Sequence, residues 1–125
     1  MAKDERPPVA VGHVSLNVTD LARSTAYFKD IGMRSVHEGD SITVLELRGG
    51  THLILRTGAE PVANGAKAPF DLMVDDIDRT RDEYAAKGFA PSETERGNIH
   101  DRFTITDPDG YEFTVTSSHA SGQPI

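Results

Sequence analysis

The side chains able to carry chemistry in this chain are five histidines and a set of carboxylates, with no cysteine beside them. Without cysteine there is no thiolate nucleophile, no sulfur ligand for a metal and no disulfide. His13 heads the series His13, Ser15, Asn17, in which polar residues alternate with apolar ones. His52 stands in a strand-like run with Arg56, and His100 is spaced by twos from Arg102 and Thr104. His37 and His119 read as surface residues. His13, Ser15 and Asp71 are the residue types of a hydrolytic triad, but no nucleophile-elbow motif surrounds the serine, so acyl transfer is not expected. No Walker loop or dinucleotide-binding glycine fingerprint is present. The acidic stretch Asp75-Asp76-Ile77-Asp78 with Asp82-Glu83 reads as a helix N-terminus and a solvated helix face.

These residues are positioned by a pattern that occurs twice. In the first half, Val14, Leu16 and Val18 alternate with polar residues as in a half-buried strand over Val9–Val18. Thr19 or Asp20 offers an N-cap, Leu21, Phe28 and Ile31 share one helical face, and Gly32 stops the helix. Strand-like runs follow at Arg34–Glu38, Ile42–Leu47 and Thr51–Arg56, the last two joined by a turn at Gly49-Gly50. Residues 58–68, rich in Gly, Ala, Pro and Asn, read as a linker. The pattern then restarts: Phe70, Leu72 and Val74, a cap at Asp76, a helix with Ile77, Tyr84 and Ala85, and a stop at Gly88. Runs at Phe89–Ser92, Asn98–Thr106 and Tyr111–Ser117 complete it, with Asp107-Pro108-Asp109-Gly110 as a turn. Leu16 matches Leu72, Asp20 matches Asp76, Phe28 matches Tyr84, Gly32 matches Gly88, and Gly50–Leu55 matches Gly110–Val115.

The expectation is therefore one α+β domain over 1–125, made of two βαβββ units at 9–57 and 69–118, with a tail at 119–125. Each helix must cover the apolar parity of its own curved sheet. The other parity is left open: His13, Ser15, Asn17, His52, Ile54 and Arg56 in the first unit, and Asp71, Met73, Glu112, Thr114 and Thr116 in the second. An uncovered face of mixed character suits a ligand cleft.

The segment Gly12–Leu21, the helix end Tyr27-Phe28 to Ile31-Gly32-Met33, and Asp107–Tyr111, in this order and within a duplication, resemble the vicinal oxygen chelate superfamily of glyoxalases, bleomycin-resistance proteins and extradiol dioxygenases. The resemblance covers about residues 9–118. It implies two units curled around an open cleft. In the metal enzymes of that superfamily, ligands come from the first and last strands of each unit and converge on Zn, Ni, Mn or Fe. The corresponding positions here are His13, Ile54, Pro69 and Thr114, of which only His13 is a usual ligand. A shifted set using His13, His52, His100 and Glu112 is the chemical alternative.

Two functions from different classes follow. The first is non-catalytic sequestration of a drug or natural product, as in the bleomycin-resistance type. It needs no cofactor, and the ligand would lie among His13, Ser15, Asn17, His52, Arg56, Asp71, Met73, Arg102 and Thr114. With five Phe, three Tyr and no Trp, platforms for stacking a flat ligand are limited. The second is a metal-dependent lyase, isomerase or dioxygenase. The resemblance also implies a homodimer with clefts shared between chains. A net charge of −7 disfavours a nucleic-acid partner. No run approaches the roughly 20 apolar residues of a membrane span, and the N-terminus lacks a signal-peptide core, so a cytoplasmic location is expected.

Overall fold

The computed structural model describes residues 3–58, 60, 62 and 64–118. His119 lies outside them. Two four-stranded sheets and two helices form in chain order. The first unit comprises β1 (His13–Val18), α1 (Leu21–Asp30), β2 (Arg34–Glu38), β3 (Ile42–Glu46) and β4 (His52–Thr57), with sheet order β1-β4-β3-β2. The second comprises β5 (Ala66–Lys67), β6 (Leu72–Val74), α2 (Ile77–Ala86), β7 (Arg102–Thr106) and β8 (Tyr111–Ser117). There β8 is central, pairing in parallel with β5 and β6 and antiparallel with β7. Neither sheet closes into a barrel. None of the described helices is long and apolar enough to cross a membrane.

The duplication extends to register and caps. Leu16 lies opposite Leu55 as Leu72 lies opposite Val115, and Val44 opposite Ile54 as Thr104 opposite Thr114. Asp20 accepts the Arg23 N–H and Asp76 accepts the Arg79 N–H, both at 3.0 Å, so each helix has one of its unpaired first-turn donors satisfied. Gly32 and Gly88 follow the helices at φ +126 and +84, values that disfavour any side chain.

The two units share one core. Phe28, Leu53, Leu55, Phe103, Phe113 and Val115 are all essentially without solvent contact. Each helix packs on its own sheet, and the rings of Phe28 and Phe113 meet across the units at 5.5 Å. Tyr84 Oη, also buried, donates to the Ile31 carbonyl at 2.7 Å, and burial pushes the phenol up to about 12.

Three segments depart from the expected pattern. Residues 9–12 precede β1 without joining the ladder, although Gly12 and Val11 carbonyls accept from His52 N and Thr51 Oγ1. Residues 89–92 form no strand. The edge of β7 is instead flanked by an irregular run in which Glu95 and Arg102 exchange backbone hydrogen bonds and Ser92 N donates to Thr104 O. Strand β7 itself begins at Arg102, four residues later than the run Asn98–Thr106 suggests. Finally, the segment expected as a linker ends in β5. Lys67 lies opposite Glu112 and Leu72 opposite Val115, so four residues of one strand face two of β8. Pro69 sits inside this bulge, where its missing N–H costs no ladder bond.

The turn between β7 and β8 holds a buried carboxylate. Asp107 Oδ1 accepts Asp109 N at 3.0 Å and Tyr111 N at 2.9 Å, while Oδ2 is buried without a partner. Burial raises its pKa above the ordinary 3.8, against the pull of those N–H donors. The folded chain therefore holds this proton to higher pH than the unfolded chain. The resulting stability is fully present below the unfolded value and is lost as pH rises through the folded one. Asp107→Asn keeps the accepting oxygen and removes the charge. Melting temperatures of both proteins from about pH 3.5 to 7 should converge at the acid end, with wild type losing ground as pH rises. Parallel profiles would contradict this.

Candidate functional site

Strand alternation places the chemistry on the uncovered face of each sheet. In the first, His13, Ser15 and Asn17 are exposed while Leu16 and Val18 are buried against the helix. Pairing aligns His13 with His52, Ser15 with Ile54 and Asn17 with Arg56, so all six share that face. One member was not legible as a site residue: Glu46 lies opposite His52 across the hairpin. Its Oε2 is 3.1 Å from His52 Nε2, and Arg34 bonds its other oxygen. The Arg34 guanidinium, then His52, hold the Glu46 carboxyl below the usual carboxylate range. The His13 and His52 rings meet edge to face, with centroids 5.7 Å apart. Counting back from the Gly49-Gly50 turn would have paired residue 46 with 52.

In the second sheet the uncovered face carries Glu112, Thr114 and Thr116 on β8, Arg102, Thr104 and Thr106 on β7, and Met73 and Lys67 on β6 and β5. This face bounds a cavity of about 710 Å³, whose lining also includes Ser92, Glu93, Glu95 and His100 from the segment preceding β7. Of the nine expected ligand-binding residues, Asp71, Arg102 and Thr114 line it, together with His100 and Glu112 of the shifted metal set. Met73, 42% exposed, borders a different cavity. His13, Ser15, Asn17, His52 and Arg56 stand on the other sheet and contribute nothing to this cavity. The expected set is thus divided between two faces within one chain.

The cavity wall is polar. Arg102 Nε donates to Glu95 Oε2 at 2.9 Å, and Lys67 Nζ is 3.5 Å from Glu112 Oε1. Thr116 Oγ1 is tied to the Leu72 carbonyl at 3.3 Å. The side chains named on this wall include no Phe, Tyr or Trp. Lys67, at 81% side-chain exposure, comes from the segment read as a linker and was missed. Pro69 was the available signal, because a proline cannot continue a ladder at the place of His13.

The residues do not fit the metal centre that the fold family implies. Ile54 is buried hydrocarbon, and Thr114 is a neutral hydroxyl. The bulge puts Lys67, not Pro69, opposite Glu112. An ammonium group there opposes a divalent cation. Among the described residues no three His, Cys, Asp or Glu side chains converge to hold a metal ion.

Comparison with known proteins agrees with this architecture. Residues 10–115 match the Glyoxalase/Bleomycin resistance protein/Dioxygenase superfamily. A lactoylglutathione lyase from Agrobacterium tumefaciens superposes with TM-score 0.74 at 20% identity, over 94% of this chain and 99% of that one. A glyoxylase/bleomycin resistance protein/dioxygenase domain from Frankia sp. EAN1pec gives 0.72 at 21%, over 90% and 99%. A fosfomycin resistance protein from Listeria monocytogenes gives 0.69 at 14%, over 88% and 93%. No curated protein matches in sequence. At these identities the structural likeness establishes the fold alone.

Proposed function

Since this chain belongs to the glyoxalase/bleomycin resistance protein/dioxygenase superfamily, whose fold serves both enzymes and resistance proteins, we propose that it is a non-catalytic binder of a polar small molecule. The observation that supports this reading is the character of the 710 Å³ cavity on the second sheet, walled by hydroxyls, by the Lys67–Glu112 and Arg102–Glu95 pairs and by the carboxylates Asp71 and Glu93. That volume is within the range of small-molecule sites. The ligand is a polar molecule with strong hydrogen-bond acceptors and no net negative charge, which four carboxylates on the wall would oppose, held by Arg102 and by the hydroxyls of Thr104 and Thr114. Sequestration requires no turnover: the protein lowers the free concentration of its ligand by mass action.

The homodimer with shared clefts belongs to the same proposal. The polar row His13, His52 and Glu46 of one copy would close over the second sheet of another, supplying the wall that a single chain lacks. The metal-dependent alternative would likewise need donors from two copies, and Lys67 argues against it.

The test is equilibrium dialysis against a panel of polar natural products and antibiotics, fosfomycin among them, with and without added Zn, Ni, Mn or Fe(II). The expected result is saturable retention of a compound recovered with unchanged mass, and less than about a tenth of an equivalent of metal per chain. A compound returned chemically altered, or retained only with about one equivalent of metal, would overturn the reading in favour of the metal enzyme.

A further inference from the structure

The two units meet along two seams related by the internal duplication, and each hairpin turn reaches the other unit's helix start. Asp109, with only 3% of its side chain exposed, accepts from Thr19 N at 3.1 Å and from Arg23 Nη2 at 3.0 Å. On the other seam Arg48 donates to Asp75, the counterpart of Thr19, at 2.7 Å. The first seam is filled by an aromatic side chain. The Tyr27 ring lies 5.2 Å from Phe28 and 5.0 Å from Phe89, and its hydroxyl donates to the Thr106 carbonyl at 3.4 Å.

Applying the duplication to these four residues gives Glu83 for Tyr27, Tyr84 for Phe28, Met33 for Phe89 and Glu46 for Thr106. Glu83 turns outward and pairs with Arg79 at 3.1 Å. Among the described residues no aromatic side chain takes the place of the Tyr27 ring. The second seam accordingly holds a cavity of about 300 Å³, whose walls include Met33, Leu47, Leu72, Val74 and Tyr84. Met73 also lines it, and it shares no lining residue with the polar cavity. We propose that this seam is a second binding site, for a small phenol or an aromatic molecule of similar size, whose ring occupies the position that Tyr27 fills in the other seam. Its hydroxyl would point toward the Glu46 carbonyl, with the Arg48–Asp75 pair at the rim. The apolar walls supply most of the attraction and the single polar contact sets orientation.

The probe is p-cresol, the tyrosine side chain as a free molecule, titrated into the full-length ¹⁵N-labelled protein. Saturable amide shifts are expected at Met33, Leu47, Leu72 and Val74, with a Kd of about 1 mM for a ligand of this size. Met33→Phe, which copies Phe89, should weaken binding at least about tenfold by filling the space. Glu83→Tyr, at an exposed helix position, is the second variant should the first not fold. It should weaken p-cresol to the same extent and raise the melting temperature. No saturable shift by about 10 mM, shifts confined to other surfaces, or unchanged affinity in folded Glu83→Tyr would overturn the proposal.

Discussion

Replacing Phe113 with Ala should cost about 3–5 kcal/mol of folding stability, the range for deleting a fully buried aromatic ring. The ring has no solvent exposure, and it is held by Phe28 at 5.5 Å and Phe70 at 5.2 Å. Phe28 comes from the first unit, so the deletion opens a void where both units meet and where neither can collapse without the other. In denaturant unfolding the midpoint should fall without a change in slope. Val36→Ala serves as the control: at 53% exposure on an edge strand it should change stability by less than about 0.5 kcal/mol. A Phe113→Ala loss below about 1.5 kcal/mol would mean that the units do not depend on a common core.

Arg102→Ala should weaken the ligand retained in the dialysis panel by about 10- to 100-fold, the loss of one charge-assisted hydrogen bond. Its side chain is 55% exposed and uses Nε on Glu95, while a guanidinium carries five N–H donors, so the remainder can face the cavity. Because the ion pair with Glu95 is exposed, removing it should leave the melting temperature nearly unchanged. Calorimetric titration beside a thermal melt separates the two effects. Equal affinity in wild type and variant would remove Arg102 from the site.

Much of the fold was readable because its signals are local and repeated. The caps at Asp20 and Asp76, the stops at Gly32 and Gly88, and the alternation from Val14 to Val18 each name one structure, and their recurrence fixes the duplication. The errors fall where local signals compete with long-range pairing. Ala66–Lys67 looks like linker because its strand character comes only from a ladder with residues more than forty positions away. Phe89–Ser92 has a strand-like composition, yet Pro91 removes a donor and Ala90 adopts φ +49, so the chain passes β7 irregularly.

The candidate site was legible as two lists of uncovered residues and not as one place. Parity assigns His13 and Thr114 each to the open side of its sheet, but it carries no information about which way the two sheets face. Glu46 and Lys67 were missed for a related reason. Each owes its position to a cross-strand neighbour, His52 for one and Glu112 for the other, and single-strand periodicity does not report such neighbours.

The most direct test of a ligand held unchanged on the second sheet is an amide-shift map of the protein titrated with the tightest compound from the panel. The expected result is saturable movement at Arg102, Thr104, Thr114 and Thr116, with the compound still intact in the sample afterward. Movement restricted to His13, Glu46 and His52, or conversion of the compound during the titration, would contradict it.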